Sequence, residues 1–254
     1  MSKTLPPDLQ VGRTYGHFDV LNSAPLPQFG GVGVTFRHRP TGALVVHHYV
    51  DDGENFCATI VKTLTENDTG VSHVLEHMIC NGSERYPVRG VYQKMKSRSL
   101  STMQGAFTTV DFTIFPIASR IEKDLFNLAE VFFNCIFRPR LTRELFEREA
   151  HRIEIHTCAP EKGPNGIAGS DRVPEIAFGG TVYTEMRSAF SRPDRLFRSA
   201  LNRGLFPDTS NRFLGTGDPA ELLTLSYEQL LEHWKRHYQP GNCIFLLCGD
   251  IPPQ

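Results

Sequence analysis

The sequence predicts an α+β fold: a two-layer sandwich of a mainly antiparallel sheet with helices on one face. Three observations predict it. Runs rich in β-branched residues and bounded by turn chemistry fill the first third. Apolar residues recur at helical spacing from Leu125. A last apolar run near residue 243 returns to strand, so strands and helices are interspersed along the chain.

The strands come first. Gly33 to His38 is short and partly apolar, and Pro40-Thr41-Gly42 marks a turn. Ala43 to Val50 and Phe56 to Leu64 follow, with Asp51-Asp52-Gly53 placed as a hairpin loop between them. A helix is expected from Val71 to Ile79, ended by Asn81-Gly82-Ser83, and another from Val91 to Ser97. Phe107 to Ile117 alternates as one strand with a slip that a bulge would absorb. Leu125, Leu128, Ala129, Phe132, Phe133 and Ile136 form a helical stripe that Pro139 ends. Thr142 is placed to cap a helix with the body RELFEREAHRIEIH. Cys158 to Gly180 is rich in Pro and Gly and reads as a long loop. A helix from a Ser226 cap to Tyr238 stops at Pro240-Gly241, and Asn242 to Cys248 is a buried strand. No repeat or linker divides the 254 residues, which read as a single module, 1–254, and as a fragment or one module of a longer protein.

Composition narrows the function. The chain is 40% hydrophobic and 22% charged, in the globular range, so disorder is excluded for its bulk. A formal net charge of -1 gives no global pull toward nucleic acid or anionic membrane. No apolar run is long enough to span a membrane, and the first residues show neither a signal core nor an organelle-targeting pattern. The expected setting is therefore intracellular. Six scattered cysteines without a CxxC pair read as reduced and packed.

The informative residues are His73-Val74-Leu75-Glu76-His77. On a helix, positions i, i+3 and i+4 share a face, so both imidazoles can reach one metal with Glu76 beside them. Zinc suits this set, because it takes imidazole and carboxylate in a tetrahedral shell with one position open. The pattern H-x-x-E-H is the inverted zinc-peptidase motif. A third ligand is required, and Glu144, Glu147, Glu149, His151, Glu154, His156 and Glu185 are candidates. Spacing does not choose between Glu149 and Glu185.

Other signals are weaker. His47 and His48 point to opposite faces of a strand and cannot chelate together. Gly30-Gly31-x-Gly33 lacks the third glycine and helix of a dinucleotide fingerprint. His233 and His237 are expected on a solvated face opposite Leu230 and Trp234, and Cys80 as a packed thiol, with oxidation sensitivity from its nearness to the site as the lesser alternative.

Longer motifs then occur in order: DTGVSHVLEHMICNGSERYPV, SRSLSTMQGAFTTVDFTIFPIAS, FEREAHRIE, TVYTEMRSAFSRPD and LFPDTSNRFLGTGDPAELLTLSYEQLLEHWKRHYQPGN. The series resembles the presequence protease and falcilysin branch of the pitrilysin/insulinase family of zinc peptidases, from about Val11 to Asp250. The resemblance implies one Zn2+ per chain, held by His73, His77 and Glu185. It implies Glu76 as general base and Glu149 as an acid supporting the site from behind. Those two acids, 149 and 185, stand 36 positions apart, which marks 158–180 as an inserted loop. It implies that Gly105, Ala106, Phe107 and Thr108 lie on an edge strand that pairs with an extended substrate. Gly105 stands where the family usually has asparagine, so a side-chain amide is lost there. The implied activity is a metalloendopeptidase acting on unfolded peptides, completed by a homologous C-terminal half. The implied compartment is the mitochondrion or another organelle. The alternative is a non-catalytic peptide-binding or structural subunit of the same fold.

Overall fold

The computed structural model describes residues 3–4, 9–157 and 174–253. The β-branched runs form one nine-stranded sheet. Its strands are β1 (Thr14–Tyr15), β2 (Phe18–Leu26), β3 (Gly31–His38), β4 (Leu44–Tyr49), β5 (Asn55–Lys62), β6 (Met103–Gln104), β7 (Phe107–Thr108), β8 (Phe112–Ser119) and β11 (Cys243–Gly249). Their order is β1-β2-β3-β4-β11-β5-β8-β6, and β7 also pairs with β8. Every pairing is antiparallel except β11 with β4. A separate hairpin joins β9 (Arg152–Thr157) to β10 (Pro174–Gly179).

The helices are α1 (Val71–Ile79), α2 (Val91–Lys96), α3 (Glu122–Phe137), α4 (Arg143–Glu149), α5 (Thr181–Phe190), α6 (Pro193–Leu205), α7 (Pro219–Leu222) and α8 (Tyr227–His237). The main core lies between one face of β5, β8 and β11 and these helices. Cys57, Val61, Phe115 and Ile117 meet Val74, Leu75, Met78, Leu128, Phe132 and Leu230 there. Leu75, Met78 and Ile79 of α1 are fully buried. Each such side chain contributes on the order of 1.5–3 kcal/mol. A smaller cluster of Val20, Val34 and Phe36 packs under the first strands. The α+β sandwich is the predicted one.

Four expectations are corrected. Asp51-Asp52-Gly53 does not close a hairpin, because β11 lies between β4 and β5: Leu247 pairs with His47 on one side and Cys57 on the other. Phe107 to Ile117 is not one bulged strand. Thr109 Oγ1 accepts the Phe112 N–H and bonds Asp111 Oδ1, so the chain reverses and Phe107 faces Ile114. The helix capped by Thr142 stops at Glu149. Beyond it, Ile153 and Ile155 alternate with Arg152, Glu154 and His156, a period of two that belongs to β9. The proposed loop 158–180 is in part strand, since 174–179 is β10 and 158–173 lies outside the described residues.

Two caps confirm local readings. Thr142 accepts the Leu145 N–H, and Ser226 forms a capping box with Gln229.

Candidate metal centre

α1 runs along the helix side of the sheet with seven of its nine residues buried, His73 and Glu76 among them. One turn of helix places the His73 and His77 rings 4.8 Å apart, nearly perpendicular. Glu185 reaches them from α5: its Oε2 is 3.7 Å from His73 Nε2 and 3.5 Å from His77 Nε2. The three ligand atoms all lie within 4.8 Å of one another. Zinc bonds of about 2.0–2.2 Å in a tetrahedron need ligand separations of roughly 3.4 Å, which both Glu185 contacts approach, so the donor chemistry and spacing suit that ion once the two imidazoles draw together.

The other nitrogen of each histidine also faces an acceptor. His73 Nδ1 donates to the Thr216 carbonyl at 3.2 Å, and His77 Nδ1 faces Glu149 Oε2 at 3.6 Å. Partners there select the tautomer that turns the Nε2 lone pair toward the shared point. Glu149 itself accepts from Arg148 Nε at 3.0 Å and Asn81 Nδ2 at 3.1 Å. Glu149, which spacing left open as a ligand, thus sits behind His77, and Glu185 sits in front.

Charges follow from these contacts. Burial pushes His73 down to about 4, aided by His77 and only partly opposed by the Thr216 carbonyl. His73 is therefore neutral near neutral pH, as a metal ligand must be. Burial also acts to lower His77, yet Glu149, Glu76 and Glu185 outweigh it and raise this ring. Glu149 is opposed by burial but held below the usual carboxylate value by His77 and Arg148. Glu76 is raised by burial, against the pull of the Thr108 hydrogen bond and His77. A carboxylate poised upward is suited to taking and returning a proton.

Glu76 Oε2 accepts from Thr108 Oγ1 at 2.7 Å. Thr108 ends β7 beside β8, at the sheet edge formed by β6 and β7. Gly105 N–H bonds Pro116 O at 3.1 Å, so glycine keeps the backbone pairing in this stretch. Phe107 is more than half exposed on the same edge. Gly105, Ala106, Phe107 and Thr108 therefore lie between the open edge and Glu76.

Of the other candidate ligands, Glu154 pairs with Arg152 and His156, and His151 bonds the Leu225 carbonyl at 3.0 Å. His233 is not on a solvated face. Its Nε2 lies 3.1 Å from Ser72 Oγ on α1, and burial with the neighbouring His237 lowers it to about 3. Cys80 is a free thiol that burial pushes far up, so it has no thiolate to oxidise readily. Sequence reasoning missed Thr216, Asn81 and Arg148. The Gly215-Thr216-Gly217 run was the available signal, since glycines on both sides of a residue permit close backbone approach.

Residues 63–183 match the family model described as insulinase (peptidase family M16). That match spans 121 of the 254 residues. It is 33% identical over 242 residues to the mitochondrial presequence protease of Danio rerio, covering 95% of this chain and 23% of that protein. The chain thus spans about a quarter of the length of such curated relatives. Among solved structures, the periplasmic protease PqqL of Escherichia coli superposes with a TM-score of 0.64 at 19% identity, over 86% of this chain and 22% of that one. The first half of PqqL, solved separately, gives a TM-score of 0.62 at 20% identity over 86% of this chain and 42% of its own. These structural likenesses show a shared fold. Among the described residues, no helix is long and apolar enough to cross a membrane.

Proposed function

We propose that this chain is the metal-binding catalytic module of a zinc-dependent metalloendopeptidase that degrades unstructured, presequence-type peptides. The observation that carries the reading is the meeting of His73, His77 and Glu185 at one point, with Glu76 buried alongside. His73, His77 and Glu185 would hold one Zn2+. When bound, zinc supplies Lewis-acid polarisation that makes water nucleophilic near neutral pH.

Glu76 takes the proton from the attacking water and returns it to the leaving amine nitrogen. The Thr108 hydroxyl holds one Glu76 oxygen, leaving the other free to move that proton. Glu149 fixes the His77 ring from behind. The edge at Gly105 to Thr108 pairs with an extended peptide backbone, which restricts the substrate to chains that are locally unfolded. Relatives about four times longer, and the likeness to the first half of PqqL, support a first module, 1–254, that works with a homologous C-terminal half. The names of relatives such as the Danio rerio protein support a mitochondrial or other organellar setting.

Zinc per chain on the purified protein tests the reading. The expected result is about one, retained in Glu76→Gln and lost in Glu185→Gln. With an active wild-type protein, Glu76→Gln lowers peptide turnover by at least about a thousandfold; full turnover in that variant refutes the general-base assignment. A folded, reduced chain that takes up no zinc favours instead a peptide-binding subunit of the same fold.

A further inference from the structure

We infer that Asp68 is a positioning residue for the metal centre, acting on His73 through the turn at residues 214–217. The inference rests on the zinc reading above. Asp68 lies two residues before Gly70, from which α1 departs. Its Oδ1 accepts the Leu214 N–H at 2.7 Å, and its backbone carbonyl accepts the Asp218 N–H at 2.8 Å. These two bonds staple both ends of the turn, which closes with Gly217 N–H to the Leu214 carbonyl at 2.9 Å. Between the staples sits the Thr216 carbonyl that receives His73 Nδ1–H. Arg195 adds a third hold by donating to Thr216 Oγ1 at 2.6 Å.

The contact leaves no room for adjustment. A Cβ on Gly70 would stand 2.7 Å from the Thr216 carbonyl oxygen, and one on Gly217 would stand 2.8 Å from Gly70 Cα. Both glycines have positive φ, 68° and 93°. The two loops are therefore set against each other backbone to backbone.

The two histidines differ in what stands behind them. His77 faces a side-chain carboxylate held by Arg148 and Asn81. His73 faces a main-chain carbonyl on a turn, whose position depends on what pins the turn. The partner of a ligand's second nitrogen fixes ring orientation and basicity, and its loss typically costs about 10–100-fold in metal affinity. Asp68 divides its work between two oxygens. Oδ1 faces inward to the turn, while Oδ2 meets Arg203 at 3.1 Å near solvent. The inner bond is a charge-assisted hydrogen bond to a backbone N–H, and the outer one is a partly exposed ion pair of small worth.

Zinc Kd by chelator competition on the 254-residue chain, with the cobalt(II) absorption spectrum and a thermal melt of each variant, tests this. Asp68→Ala should raise the zinc Kd about tenfold and alter the cobalt spectrum at temperatures where it is fully folded. Asp68→Asn keeps an acceptor for the Leu214 N–H and should stay within about threefold. Arg203→Gln removes the outer ion pair and the longer one to Asp218 Oδ2 at 3.7 Å, leaves both backbone staples of the turn in place, and should stay within about twofold. Unchanged zinc affinity in Asp68→Ala overturns the inference, as does an equal loss in Arg203→Gln. If Asp68→Ala does not fold, Asp68→Asn decides: tenfold weakening there overturns the hydrogen-bond role, and near-wild-type affinity with an unchanged cobalt spectrum supports it. A wild-type chain that binds no zinc fails earlier and differently, removing the zinc reading itself along with this one.

Discussion

α1 and α5 bring ligands to the same point under opposite conditions. α1 offers His73, Glu76 and His77 from a helix with seven buried residues of nine, packed on the sheet and under α8. α5 offers Glu185 with its side chain 51% exposed, and only Val182 and Met186 of that helix are buried. Its start is set by the β9–β10 hairpin and by Gly180, where a Cβ would collide with the Ala150 carbonyl. Two of the three donors thus stand on a buried helix, and the third is delivered by a surface element. The difference teaches that the candidate site is anchored from one side and closed from the other.

The largest effect should separate the two helices directly. Structural zinc binding is on the order of 10 kcal/mol, so losing one of three ligands costs several kcal/mol. His77→Ala should weaken zinc by about a thousandfold. Glu185→Gln, on the more adaptable side, should cost roughly a hundredfold. Equal losses, measured by chelator competition, would break the contrast.

A smaller effect sharpens it from behind. Glu149→Gln keeps the shape beside His77 but removes the charge, and zinc affinity should fall about 10–100-fold with Glu185 untouched. No change would mean that Asn81 and Arg148 suffice to hold that side.

Acid should loosen the α1 side first. His73 has a folded-state pKa of about 4 against 6.5 unfolded. Between those values the unfolded chain binds the proton and the folded chain does not, so stability falls as pH drops from about 6.5 to 4. The metal-free chain should lose up to about 3 kcal/mol of stability through this residue. His73→Gln should flatten that slope in urea melts across the window; an equally steep slope would assign the loss to other groups.

The smallest effect concerns the edge strand. A Cβ at Gly105 would meet the far end of the Phe107 ring at 2.9 Å, and that exposed ring can swing away. Gly105→Asn should therefore leave the melting temperature within about 2 °C, a surface-sized change. A large drop would show that Phe107 is fixed in place.

What was legible in the sequence follows the same division. His73, Glu76 and His77 could be read because helix periodicity alone puts them on one face. Leu125 to Ile136 and the Ser226 cap could be read for the same local reason. Glu185 could not be chosen from Glu149 by spacing, because the chain between them leaves α4, makes β9 and β10, and starts a new helix. The helical reading of HRIEIH failed where a two-residue period was mistaken for a continued turn. Thr216 was invisible because its role belongs to its carbonyl, and its partner is 143 residues away. His233 was misplaced because its polar contact is Ser72, 161 residues distant, which no local pattern encodes.

The place of β11 has a consequence for synthesis on the ribosome. β4 and β5 are neighbours in sequence, yet each hydrogen-bonds to a strand that begins at residue 243. At roughly 5–20 residues per second, their facing edges wait on the order of ten seconds or more after emerging before that strand exists. During that interval the nascent chain displays two unpaired strand edges with nothing native to fill the gap between them. A holding chaperone acting on the nascent chain would act in that interval.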